Sequence, residues 1–179
     1  MESITIRKGT AADIPAVLEN YDHIFDFEEC GKGTSGWPRG IYPNENVVKE
    51  AVAADELYVA EIDGKVCGSA RINHEQSPEY KRANWAHKDA PAEKVMVLHT
   101  LAVDPHFGGK GVGSALIRCF EQYALEHDSP YLRMDTGGGN SRARRLYAHL
   151  GFTEADVLEC HWGENMPVIY MVCLEKTLL

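Results

Sequence analysis

The residues of this chain best suited to chemistry lie in the run Leu98-His99-Thr100-Leu101-Ala102-Val103-Asp104-Pro105-His106-Phe107-Gly108-Gly109-Lys110-Gly111-Val112-Gly113-Ser114. A strand-forming stretch passes through a glycine-dense turn directly into a segment of helical periodicity. Four glycines in six positions strip away side chains, so successive backbone N–H groups can converge on one anion. The helix that follows adds the positive end of its dipole. A phosphate or pyrophosphate is the expected ligand.

The elements that must position this turn are legible on both sides of it. Ile4–Lys8 alternates as a short strand. A helix carries Ile14, Val17, Leu18, Tyr21, Ile24 and Phe25 on one stripe, with Thr10 or Asp13 able to cap it and Asp13 favoured because Pro15 then falls in the first turn. Residues 30–43 read as a Gly- and Pro-rich loop, and a second helix runs from Asn46 to Ala54. Leu57–Ile62 and Val66–Ile72 flank Asp63-Gly64, a hairpin signal. Residues 73–93 read as long, polar and irregular, which in a compact domain points to a functional or mobile loop. The strand Val95–Val103 enters the glycine turn, and the helix Gly113–His127 leaves it. Tyr131–Asp135 forms another strand. A Gly137-Gly138-Gly139 connector opens the helix Asn140–Leu150, which Gly151 ends. Strands Phe152–Val157 and Val168–Leu174 follow. The class is α/β with a mixed sheet, in the order β-α-α-β-β-β-α-β-α-β-β.

Bulk properties narrow the partners. With 179 residues, 44% hydrophobic and 25% charged, the chain suits one domain with a good core. A formal charge of −9 argues against nucleic acid as a partner, since phosphate neutralisation needs clustered Lys and Arg. No signal peptide or bilayer-spanning stretch is read, so no membrane partner and a cytoplasmic location are expected. Cys30, Cys67, Cys119, Cys160 and Cys173 are odd in number and lack a CxxC pair, as suits free thiols in a reducing compartment. Cys160-His161 has no second half, and no metal site is expected.

Three glycine-loop chemistries compete for the turn. A nucleoside-triphosphatase loop needs Lys followed by Ser or Thr, but Lys110 is followed by Gly111. A dinucleotide fingerprint needs a third glycine where Leu116 stands. The third option fits in two places. Gly108-Gly109-Lys110-Gly111-Val112-Gly113 resembles the pyrophosphate loop of the GNAT N-acetyltransferase superfamily. Asn140-Ser141-Arg142-Ala143-Arg144-Arg145-Leu146-Tyr147, followed by Leu150-Gly151-Phe152, resembles that family's second motif. Leu101-Ala102-Val103-Asp104-Pro105 is similar to the strand that enters the loop, and the element order agrees over nearly the whole chain. Gly108 departs from the family's usual Arg or Gln, removing one side-chain contact while leaving the backbone donors.

The resemblance implies a single N-acetyltransferase domain over residues 1–179 that uses acetyl-CoA as co-substrate and no metal. It implies that Gly108, Gly109, Lys110, Gly111, Val112, Gly113 and Ser114 hold the pyrophosphate. The backbone of Leu101, Ala102 and Val103 would meet the pantetheine arm and supply an oxyanion donor, with Asn140 and Ala143 completing the cofactor site. Tyr147 matches the family's general acid at the CoA sulfur. His99 is the candidate general base, two residues before Leu101 and so expected on the same strand face; the alternatives are a sheet histidine with a structural hydrogen bond, or a base acting through water. Asn140 is also placed to cap its helix. Arg142, Arg144 and Arg145 read either as CoA-phosphate contacts or as a solvated helix face. Trp37 and Tyr42, near the acidic run Asp26, Glu28 and Glu29, lie where the family covers the acceptor, a small-molecule or peptide amine. Similar proteins often dimerise through their last strands, so a homodimer is an expectation. A non-catalytic acyl-CoA sensor is the alternative in another class.

Overall fold

The computed structural model describes residues 3–161 and 168–178. Its elements are β1 (Ile4–Lys8), α1 (Ile14–Glu29), α2 (Glu45–Ala53), β2 (Leu57–Ile62), β3 (Lys65–Asn73), β4 (Val95–Val103), α3 (Val112–Glu126), β5 (Tyr131–Gly137), α4 (Ser141–His149), β6 (Thr153–His161) and β7 (Val168–Thr177). The seven strands form one mixed sheet in the order β1-β2-β3-β4-β5-β7-β6. Pairing is antiparallel for β1/β2 and β2/β3, parallel for β4/β5 over Val95–Val97, and antiparallel for β5/β7 and β6/β7. None of the described helices is long and apolar enough to cross a membrane.

The chain folds as two compact units. The first takes the residues up to Gly33, Trp37–Asn73 and Leu98–Gln122. Its core joins Val17, Tyr21, Ile24 and Phe25 of α1 to Val48 and Ala51 of α2 and to Leu57, Val59, Val66 and Ala102 of the strands. The α1 residues recur at the helical spacing that turns one stripe inward. The hairpin turns at Asp63 and Gly64, with φ of 50° and 76°, the pair of positive values that a type I′ turn requires and Asp-Gly accepts.

Asp13 does not cap α1 through its side chain. Its carboxylate accepts from Arg7 at 2.7 and 2.9 Å and from the Thr10 N–H at 2.8 Å. The charge-assisted fork of a guanidinium is the stronger partner, so Asp13 ties the start of α1 to β1. The Arg7 pairing is also the leading cause of its pKa lying far below the ordinary value.

The second unit takes Thr34–Gly36, His74–Val97 and the residues from Tyr123 onward. Tyr80, Ala83, Trp85, Val95, Val97, Leu158, Cys160 and Cys173 form its core. The stretch expected to be irregular contributes here: a 3-10 turn at Pro78–Arg82 buries Tyr80, and the Trp85 indole N–H donates to the Tyr80 carbonyl at 2.8 Å. Strands β5, β6 and β7 run further than the apolar pattern indicates, because their pairing with one another continues through Gly137, His161 and Thr177. Gly137 thus belongs to β5 rather than to a connector.

One close approach fixes where α3 begins. A Cβ built on Gly68 of β3 would lie 2.8 Å from Val112 Cγ1 and 2.9 Å from the Ala102 carbonyl oxygen. The first turn of α3 therefore lies against β3 only because position 68 has no side chain. Gly68→Ala is expected to lower stability by about 1–3 kcal/mol, read as an earlier denaturant midpoint; an unchanged midpoint would refute the contact.

Candidate functional site

The turn before α3 carries its strain on two glycines. Gly109 and Gly111 have φ of 79° and 89°, the left-handed region that glycine enters without penalty. Gly108, with φ −58° and ψ 140°, adopts backbone angles open to other residues, so its conformation does not demand glycine. A Cβ at Gly109 would meet nothing within 4 Å, and residues 108–111 are all exposed. The Ala115 N–H bonds the Gly111 carbonyl at 3.0 Å, so the helix starts there and its first amides have no intrahelical acceptor. An exposed, side-chain-poor backbone at a helix start fits a pyrophosphate. The ammonium groups of Lys65 and Lys110 both lie over the Phe107 ring, at 5.6 and 5.4 Å, which adds local positive charge.

Strand β4 carries a backbone irregularity as it approaches this turn. Thr100 has φ 50°, a left-handed value that a β-branched residue adopts only under constraint. Its hydroxyl is hydrogen-bonded to the Tyr42 hydroxyl. Tyr42 in turn packs edge-on against Trp37 at 6.0 Å, and Trp37 against Tyr21 at 6.4 Å. The two residues read as acceptor-covering are thus brought together and joined to the irregular position of β4. Strict alternation does not carry across Thr100, so the period-2 argument for placing His99 and Leu101 on one face fails there.

His99 heads a polar chain that the sequence did not reveal. Its Nε2 is 2.8 Å from Asn73 Oδ1, and Asn73 Nδ2 donates to Glu56 Oε2 at 2.9 Å. Arg71 Nε donates to the same oxygen at 2.6 Å. Burial works against the charge of Glu56, but the Asn73 amide and the Arg71 guanidinium outweigh it and hold its pKa below the ordinary value. An ionised carboxylate accepts only, so the Asn73 NH2 must face Glu56 and its oxygen must face His99. The neutral His99 ring then carries its proton on Nε2, which makes Nδ1 the basic nitrogen. The only sequence signal was a polar residue closing an apolar strand.

In the second unit, Tyr147 is 5% exposed and its ring meets Phe152 edge-on at 6.4 Å. Burial, reinforced by the charge of Asp135, raises its pKa well above the ordinary tyrosine value, so the phenol is protonated at neutrality. Asp135, itself raised by burial, accepts from the Tyr80 hydroxyl at 2.7 Å. Asn140 caps α4: its Oδ1 accepts from the Ala143 N–H at 3.3 Å and its amide donates to Thr136 at 3.0 Å. Arg144 is committed to Glu154, at 2.7 and 2.9 Å, and to the Gly138 carbonyl. Arg142 and Arg145 lie on the exposed side of α4. Of the acidic run near Trp37, Asp26 and Glu29 are paired with Arg39 at 2.5 and 2.6 Å, which places them in a local ion network.

Residues 20–152 match the Acetyltransferase (GNAT) family. The chain belongs to this family. It is 27% identical over 162 residues to an uncharacterised N-acetyltransferase of Methanocaldococcus jannaschii, covering 89% of this chain but only 65% of that relative. It is 23% identical over 166 residues to the uncharacterised N-acetyltransferase YhfO of Bacillus subtilis, covering 92% of this chain and 99% of the relative. The fold is similar to that of yncA from Salmonella typhimurium, solved with its cofactor acetyl-CoA, with a TM-score of 0.72, 19% identity, and coverage of 99% of this chain and 95% of that one.

The electrostatics of Glu56 set a sign for stability against pH. A carboxylate whose folded pKa is depressed stabilises the fold above its unfolded pKa, and that contribution is lost as pH falls through the folded value. The stability gap between the wild type and Glu56→Gln is therefore expected to narrow between about pH 6 and pH 3. Urea unfolding at several pH values reads it. A gap that does not change with pH would contradict the ionised Glu56 chain.

Proposed function

We propose that this chain is a single-domain N-acetyltransferase that moves the acetyl group of acetyl-CoA onto a primary amine of a small molecule or peptide. The observation that carries the reading is the exposed glycine turn at the start of α3, in a chain of the GNAT family. The pyrophosphate takes the stretch Gly108–Ser114, through backbone amides other than those of Gly108 and Lys110, which bond the Pro105 and Phe107 carbonyls, and the backbone of Leu101, Ala102 and Val103 takes the pantetheine arm. One N–H there stabilises the oxyanion as the thioester carbonyl becomes tetrahedral. A cytoplasmic setting belongs to the same reading.

Two protons must move. A lysine-like amine, with a pKa of about 10, must lose one before its lone pair attacks, and His99 accepts it at Nδ1, opposite the nitrogen oriented by Asn73. The amine nitrogen bonds the acetyl carbon, the tetrahedral intermediate releases its second N–H proton to solvent, the carbon–sulfur bond breaks, and CoA leaves as a thiolate. Tyr147 meets the departing sulfur as a donor. A thiol is more acidic than a phenol by roughly 1.5 units even before burial, so Tyr147 steadies the thiolate with a hydrogen bond rather than surrendering its proton outright. Trp37 and Tyr42 offer an aromatic wall suited to a cationic or aromatic amine.

A panel of amines assayed for acetyl-CoA-dependent thiol release tests the activity; acetyl-CoA binding with no turnover on any amine would favour a sensor instead. Tyr147→Phe is expected to lower kcat by at least about 10-fold with little change in acetyl-CoA affinity. Unchanged kcat would remove Tyr147 from the chemistry.

A further inference from the structure

Three residues outside the proposed chemistry converge at the entry to the glycine turn. His23 lies on α1, Asp104 directly follows β4, and His106 sits in the 3-10 turn Pro105–Phe107. His23 Nδ1 is 3.0 Å from one carboxylate oxygen of Asp104, and His106 Nδ1 is 2.8 Å from the other. The two imidazoles meet edge to face at 4.6 Å. One ligand-type atom from each residue lies within 4.8 Å of the other two, the one such group of three found among the described residues.

The setting is that of a prepared site. The Asp104 side chain is fully buried, whereas that of His106 is 69% exposed, so the cluster opens to solvent on one side. Asp104 is held at both ends: its N–H donates to the Cys67 carbonyl at 3.0 Å, and its Oδ1 accepts from the His106 N–H at 2.9 Å. His23 is flanked on α1 by the buried Ile24 and by Tyr21. A buried carboxylate needs positive charge close by. The imidazoles facing it are cationic only when protonated, whereas a divalent cation supplies that charge at any pH that leaves them neutral.

We propose that His23, Asp104 and His106 bind a divalent transition-metal ion, Zn2+ or a first-row neighbour, through Nδ1 of each imidazole and the Asp104 carboxylate. Two nitrogens and one oxygen are the donor set such ions take, with water filling the open position. Metal–ligand bonds of about 2.0–2.1 Å put neighbouring donors roughly 3.3 Å apart, so the two nitrogen–oxygen spacings of 3.0 and 2.8 Å open by a few tenths of an ångström, and the three donors, within 4.8 Å of one another, settle around the ion. On binding, each ring gives up the Nδ1 proton with which it faces the Asp104 carboxylate in the ion-free state, carries its proton on Nε2 and presents the Nδ1 lone pair to the ion. His106 stands two residues before Gly108, and the Gly108 N–H closes the same turn on the Pro105 carbonyl at 3.0 Å. A bound ion thus braces the backbone that leads into the glycine turn, and this role does not depend on the acetyl-transfer reading.

The test uses the full chain, stripped with chelator and titrated with Zn2+ by calorimetry and with Co2+ by visible absorption. One saturable site is expected, with cobalt ligand-field bands and no thiolate charge-transfer band. His106→Gln, at an exposed position, and His23→Gln should each weaken binding by more than about 10-fold. His127→Gln, an exposed histidine elsewhere, should leave it unchanged. If His23→Gln fails to fold by circular dichroism, His106→Gln carries the comparison. Absence of saturable binding, binding that survives His106→Gln, equal weakening by His127→Gln, or a thiolate band would each overturn the site.

Discussion

The absence of a side chain at Gly68 is the constraint on which the first unit's arrangement depends. With only a hydrogen there, Val112 and Leu116 of α3 close onto β3 beside the Ala102 carbonyl. That fixes the start of the helix, and with it the segment that must cross from Val103 to Val112. The segment spends its left-handed angles on Gly109 and Gly111. What results is an exposed, side-chain-poor turn leading into a helix start, the arrangement by which helix starts hold phosphates. An acidic chain, at −9 overall, can thereby offer a local anion site built mainly from backbone dipoles.

A second constraint lies one strand back. Thr100 departs from strand geometry, and Tyr42, anchored on Trp37, bonds its hydroxyl. Next to it, Arg71, Glu56 and Asn73 determine which nitrogen of His99 carries the proton. The orientation follows from one rule, that an ionised carboxylate has no hydrogen to give. Removing the charge at Glu56 would leave the Asn73 amide able to turn over, and the preference of His99 with it.

The parts of this structure visible in the sequence are those written in local chemistry. The Asp63-Gly64 hairpin, the inward stripe of α1, the glycine turn and the Asn140 cap all follow from residues within a few positions of one another. What escaped depends on partners far along the chain. Asp13 leaves its capping role because Arg7 offers a charged fork. Asn73 meets Glu56 only once β3 lies beside β2, and meets His99 only once β4 lies beside β3. His23 and Asp104, 81 positions apart, meet only once α1 has packed. Thr100 escaped for another reason: threonine is a good strand former, and nothing nearby in sequence announces a positive φ there.

The central claim is that the glycine turn binds the pyrophosphate of acetyl-CoA through its backbone. Comparing Gly111→Asp with Gly111→Asn tests it most directly. The two replacements carry a similar backbone penalty at φ 89°, so their difference isolates a negative charge placed at the turn. Calorimetry should show Gly111→Asp binding acetyl-CoA more weakly than Gly111→Asn by at least about 10-fold at low ionic strength, with the gap narrowing as salt is added. Equal affinities for the two variants would place the cofactor elsewhere and contradict the account.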